Sequence, residues 1–313
     1  MTNSRRLVIR TPEDVAALVP CVLGFHPEES LVLLTFGAPA GFHARIDLPA
    51  TDLDRMRAVL QLLEAARSNA IASVIAVCYA VDPEQARLLV AELERGFAAA
   101  GIAVFTTIRV ADGAWFPLSG RHASRRGSAL HLERHPFLAE ARRSGRAVHA
   151  SRSALVASLR TDPDRADQVQ AALAQGVETP PEPESVRRLV ERRLAVGGPP
   201  TPEQVAELLV ALDSDPGRAE LRRLLAMRPP AAHLRLWPAV VRAAPAARSG
   251  EPLAVLGLAA WLIGDGALGW CAVDRLVVCA PQHPVRAFLE VHLERAVPPS
   301  RRSLDLLTGW GDS

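Results

Sequence analysis

Residues 71–79 (IASVIAVCY) form an apolar, β-branched run without a charged side chain. That run constrains the fold more than any other stretch. A strand of this kind is stable only when both of its faces are covered, which calls for a sheet with helices packed on it. The neighbouring residues supply them. Across 52–66, Leu53, Met56, Leu60 and Leu63 recur at i, i+3, i+7 and i+10, an apolar stripe along one helical face. Asp82-Pro83-Glu84 caps a second helix in which Ala86, Leu89, Val90, Leu93 and Phe97 repeat at helical spacing before Gly101 ends it. Further strands fall at 31–36 (LVLLTF), 44–48 (ARIDL) and 102–110 (IAVFTTIRV), the first two separated by the turn residues Gly37-Ala38-Pro39-Ala40-Gly41. The pattern predicts an α/β fold: an N-terminal mixed sheet with βαβ crossovers and an antiparallel hairpin, followed by a mostly helical C-terminal domain.

Length and charge divide the chain further. Its 313 residues suggest about two domains. We place an α/β domain over 1–118, an arginine-rich connector over 119–160 and a helical domain over 161–313. The connector holds nine arginines against Glu133 and Glu140. All 36 basic residues of the chain are arginine. Because lysine is missing from every segment rather than one patch, genome composition explains this better than phosphate binding does. After residue 161, proline and glycine clusters separate helix-length blocks, and Thr201-Pro202-Glu203 repeats the capping signal of Thr11-Pro12-Glu13.

Several classes of chemistry are disfavoured. Cys21, Cys78, Cys271 and Cys279 sit in hydrophobic surroundings without C-x-x-C spacing, so they read as small core residues of a reducing, cytoplasmic protein. No apolar run reaches the roughly 18 to 20 residues needed to cross a bilayer, and the arginines near the start are followed by a helix cap rather than an export signal's apolar stretch. Gly264-Asp265-Gly266-Ala267-Leu268-Gly269 matches G-x-G-x-x-G but lies late in a helical region, so a helical hairpin, Gly264 ending one helix and Asp265 starting the next, fits better than a dinucleotide site. His131 and His135 lie one helical turn apart among arginines, a poor field for a cation, so they read as solvated surface histidines and no metal is expected. No cofactor motif remains.

Two places carry functional candidates. The turn Gly24-Phe25-His26-Pro27-Glu28-Glu29-Ser30 gathers His26, Glu28 and Glu29, which could serve acid and base chemistry but lack a nucleophile or oxyanion motif. The arginine-rich stretch offers Arg121, Arg125, Arg126, Arg142 and Arg143 as anion or nucleic-acid contacts. Phe137 is its only aromatic side chain, so stacking platforms for single strands are missing.

The chain also resembles a known family, the actinobacterial domain of unknown function 4192. The resemblance rests on Ile9-Arg10-Thr11-Pro12-Glu13-Asp14, on 19–32 (VPCVLGFHPEESLV), on 44–49 (ARIDLP), on Gly145-Arg146-Ala147-Val148 with Ser151-Arg152, and on 260–267 (AWLIGDGA). It implies a bacterial cytosolic setting and supports the fold and boundaries above, and the family brings no activity with it. In similar proteins a tryptophan after the last strand leads into a cysteine-rich stretch. Here Trp115 is followed instead by Phe116-Pro117-Leu118-Ser119-Gly120 and arginines. The missing reaction motif and the helical C-terminal half favour a non-catalytic protein-binding or regulatory module. Nucleic-acid binding through 119–160 is the second reading and an enzyme site near His26 the third. Whether the chain is an enzyme, and its oligomeric state, are not encoded in any motif.

Overall fold

In the computed structural model, residues 8–37, 43–118, 126–143, 146–176, 180–227 and 230–299 are described, with Leu304, Leu307 and Trp310. The chain forms two compact units: residues 1–155 with 296–298, and 156–295 with 299–313.

The first unit opens with α1 (Pro12–Leu23), started by a reciprocal capping box between Thr11 and Asp14 and ended by Gly24 in the left-handed region. The sheet follows as β1 (Ser30–Phe36), β2 (His43–Asp47), β3 (Ser73–Tyr79), β4 (Ala103–Ala111), β5 (Ala114–Pro117) and β6 (Ser128–Ala129), in the spatial order β2-β1-β3-β4-β5-β6. β1 pairs antiparallel with both β2 and β3, while β3 and β4 are parallel. Both β1 and β3 are buried almost throughout, as their unbroken apolar composition requires.

Helices α2 (Asp52–Ser68) and α3 (Pro83–Ala99) cover one face, where Leu62, Ala66, Leu89, Leu93 and Phe97 pack against Leu31, Leu33, Ala76 and Cys78. The opposite face, carrying Val32, Leu34, Val77 and Ile108, is equally buried. Arg45 on that face stands over the Phe25 ring at 5.9 Å.

The sequence reading stops the sheet one hairpin too early. Asp112 and Gly113 both have positive φ (51° and 67°), the conformation of a two-residue turn that matches strand twist, and β5 folds back on β4. Beyond it, α4 (Pro136–Arg143) lays Phe137, Leu138 and Ala141 against Ala17 and Cys21 of α1. The apolar stripe of α2 also needs correcting. Leu53, Met56 and Leu60 are exposed, and the buried side of the helix is formed by Val59, Leu62, Leu63, Ala65 and Ala66.

α5 (Arg152–Ser158) leads into the second unit, which is helical: α6 (Pro163–Ala174), α7 (Pro183–Val196), α8 (Pro202–Leu212), α9 (Asp215–Met227), α10 (Pro230–Ala243), α11 (Gly250–Ile263), α12 (Gly266–Cys279) and α13 (Pro284–Glu294). α11 is its axis. Residues Pro252 to Trp261 are all buried, so this helix is apolar all round, as a helix enclosed by others must be. Its end forms the expected helical hairpin: Gly264 takes a left-handed conformation and Asp265 caps α12 by accepting the Leu268 N–H at 3.0 Å. Three of the four cysteines are buried, whereas Cys279 is exposed because it ends α12.

In α10, His233 is fully buried and its Nδ1 accepts the Trp237 indole N–H at 3.2 Å. Burial holds its pKa down at about 4, against 6.5 for a free histidine. A depressed folded-state pKa means that the unfolded chain binds the proton first, so stability is complete above about 6.5 and is lost as pH falls toward 4. The expected loss is about 2 kcal/mol between about pH 7 and pH 5. Urea denaturation of wild type and His233→Asn at both pH values checks this, since the variant should lose that part of the pH dependence.

Candidate functional site

The turn that joins α1 to β1 is built as a brace. Phe25 is buried and pairs with His149 as a parallel bridge, the His26 N–H donating to the His149 carbonyl at 3.0 Å and the His149 N–H to the Gly24 carbonyl at 2.8 Å. Pro27 is buried. Glu28 and Glu29 are exposed, and Glu29 adopts positive φ (38°). The Glu29 carboxylate accepts the Val81 N–H at 3.1 Å while its carbonyl accepts the Leu48 N–H at 2.9 Å, and the Glu28 carbonyl accepts the Ser30 hydroxyl. His26 is half-buried, and desolvation lowers its pKa. Among the described residues no hydrogen bond or ion pair joins the His26 ring to either glutamate. The three residues share a turn, and Glu29's bonds hold it to the ends of β2 and β3 while the His26 N–H ties it to His149.

Burial also silences nearby titratable groups. His43 accepts the Thr35 N–H on Nδ1 at 3.2 Å, and desolvation, helped by the Arg146 cation, lowers its pKa to about 4. Burial pushes the Cys78 thiol up to about 12, out of reach as a thiolate, and raises the Tyr79 phenol as well.

Of the five arginines, Arg121 and Arg125 lie outside the described residues. Arg126 is exposed beside β6. Arg142 and Arg143 are exposed on the last turn of α4, a position its dipole favours, and Arg143 pairs with Glu140 at 2.7 Å. The pair of histidines is also resolved. His131 is exposed, but His135 is buried, its Nδ1 accepting the Phe137 N–H and its Nε2 meeting Asp14 at 3.2 Å. That fastens α4 to α1. Among the described residues no three acidic, histidine or cysteine side chains gather as a metal site.

A polar cluster not foreseen from sequence lies in the second unit, around a cavity of about 180 Å³ lined by Asp213, Arg248, Glu251, Cys279 and His283. Glu251 is its hub: Oε2 accepts the Trp310 indole N–H at 2.8 Å, and Oε1 lies 3.3 Å from His283 Nε2, though too poorly aligned for a hydrogen bond. His283 Nδ1 accepts the Val285 N–H and so caps α13. With Nδ1 accepting the Val285 N–H, that nitrogen is not free to activate the Cys279 thiol. The cluster anchors the C-terminal segment through Trp310, which is buried.

The exposed side of α2 is different, because among the described residues no core cluster takes up its large aliphatic side chains. At 100° per residue, the buried Val59, Leu62, Leu63, Ala65 and Ala66 lie within roughly 80° of Arg55, whereas Met56, Leu60 and Leu53 stand roughly 100 to 160° around from it. Arg55 itself bridges to Glu92 of α3 at 3.0 Å, and Val59 abuts Gly96. Leu53, Met56 and Leu60 are therefore on the outer surface of the helical layer, at 50%, 48% and 64% exposure. Leu88 of α3 is exposed on the same layer. An aligned row of large aliphatic side chains in water differs from the scattered single residues of an ordinary surface. The periodicity that revealed the row in the sequence could not say which way it faced.

The family model described as "Domain of unknown function (DUF4192)" matches residues 12–300. No curated protein and no solved structure matches the chain.

The orientation of α2 makes a clear prediction. Leu60→Ser should change unfolding free energy by less than about 0.5 kcal/mol, whereas Leu62→Ala, two residues on and facing the core, should cost about 2 to 5 kcal/mol. Chemical denaturation at low protein concentration distinguishes the two.

Proposed function

We propose that this chain, which belongs to the DUF4192 family, is a non-catalytic protein-binding module whose contact surface is the outer face of α2. One observation carries the reading: Leu53, Met56 and Leu60 form an exposed aliphatic row on a rigid, well-capped helix. Thr51 caps that helix by accepting the Asp54 N–H at 3.2 Å, and α3 holds its other side. The row is thus presented in a fixed conformation, which lowers the entropy cost of binding. Its spacing at i, i+3 and i+7 is that of a helix face offered to an apolar groove or to another helix.

The other polar groups support this reading by being committed elsewhere. Glu29 and His135 hold backbone or neighbouring side chains, and His43 and His233 are kept neutral by burial.

Affinity capture with the tagged full chain from its own cells, at low and high salt, tests the proposal against a Leu53→Ser, Leu60→Ser variant. A stoichiometric protein retained by wild type at high salt and lost by the variant is the expected result. The same proteins recovered with both forms would overturn it. Nuclease-sensitive material released at high salt would do so too, and would move the contact surface to the arginines around Arg126, Arg142 and Arg143.

A further inference from the structure

β2 is the outermost strand of the sheet, and we infer that its open edge pairs with β2 of a second copy of this chain, joining two sheets into one across a two-fold axis. The open backbone edge is separate from the aliphatic row of α2, and the experiment below changes only edge charges, so this inference and the proposed function are tested separately.

The backbone fixes which groups are available. Leu48 donates its N–H to Glu29, and the register pairs Ile46 with Leu31 and Ala44 with Leu33. In an antiparallel pair these alternate residues direct their N–H and C=O at β1, so those of His43, Arg45 and Asp47 point outward. Among the described residues none of these outward groups has a backbone partner. A row of unpaired backbone groups of this kind is a template for another strand.

Charge selects the partner and the register. Arg45 and Asp47 lie on one face of β2 and pair with each other at 2.6 Å, their side chains 19% and 82% exposed. An antiparallel copy centred on Arg45 would stack Arg45 on Arg45, and one centred on Asp47 would stack two carboxylates. Like charges directly opposite destabilise a strand pair. Centring on Ile46 instead sets Arg45 opposite the second copy's Asp47 and Asp47 opposite its Arg45. Those are the outward-pointing residues, so each pair exchanges two backbone hydrogen bonds, and the two ion pairs are swapped between copies. On the other face Ile46 meets the second copy's Ile46, at the close spacing of a non-hydrogen-bonded pair. A second copy brings this self-complementary order.

The helical layer accommodates the joint. α3 packs on β3 and β4, which leaves α2 over the β2 end of the same face. A two-fold axis normal to the sheet keeps both copies of α2 on that face. Two strands at about 4.8 Å each span the 8 to 10 Å that one packed helix occupies, so the spacing of one helix per two strands continues across the axis. The flank of α2 turned away from α3 carries Arg57 and Glu64, both exposed. An antiparallel copy of the helix can match each with the other.

Sedimentation velocity of the full chain over a dilution series tests the inference, with circular dichroism to confirm folding. Wild type should show a concentration-dependent dimer. Arg45→Asp and Asp47→Arg should each raise the dissociation constant at least about tenfold, and mixing the two variants should restore a dimer, because every facing pair is again of opposite sign. If Arg45→Asp fails to fold, Asp47→Pro removes an outward N–H at an edge position that tolerates proline, and it should abolish the dimer. A wild type that stays monomeric at about 100 μM, a dimer indifferent to these substitutions, or variants that do not complement would overturn the inference. None of those results touches the capture experiment on Leu53 and Leu60.

Discussion

An open β-sheet must end somewhere, and each end is a row of hydrogen-bonding groups that the fold has not satisfied. In this chain the two ends are managed differently. β6 is two residues long, and a strand that short offers little to pair with. β2 spans five residues and carries Arg45 and Asp47. Everything between them is committed: β1 and β3 are paired on both sides and buried on both faces, so neither can shift without exposing its core residues. The position of the edge therefore follows from the hairpin that inserts β1 between β2 and β3.

The same commitment explains why the charged turn before β1 holds structure. A strand fixed on both edges needs its incoming chain held at one height, and the exchange between Gly24, His26 and His149 does that. Glu29 accepts a left-handed conformation and places its carboxylate on Val81 and its carbonyl on Leu48, tying the ends of β3 and β2 together. A sequence shows only that a histidine and two glutamates are adjacent. Whether they face one another or the backbone is decided by strands far away in the chain.

Legibility of the fold in the sequence follows the same division between local and distant causes. The strands at 31–36, 44–48 and 71–79 and the helix caps at Thr11, Thr201 and Asp265 were readable because β-branched runs and capping residues act within a few positions. The Asp112-Gly113 turn was equally local, and the strand at 114–117 was within reach of the same logic. Orientation was another matter. α2 carries apolar residues over so wide an arc that both the Leu53, Met56, Leu60 row and the Val59, Leu62, Ala66 row satisfy helical periodicity, and only packing against α3 and the sheet chooses between them. In 119–160 the arginine count obscured Phe137, Leu138 and Ala141, whose spacing makes one apolar side that packs on α1. Glu251, His283 and Trp310 are too far apart in sequence for any spacing rule to unite them.

Edge charges are usually read as protection, since an arginine or aspartate opposite an arbitrary strand finds no partner and costs desolvation. Arg45 and Asp47 do provide that protection, but their order gives it a direction. Two opposite charges on alternate residues are repelled by a copy centred on either of them and matched by a copy centred between them. The pattern therefore excludes most strands while admitting one, which is the general form of specificity obtained by combining attraction with built-in mismatch. A single charge at either position would protect the edge equally well, and it is the alternation of the two that makes the strand complementary to its own antiparallel copy.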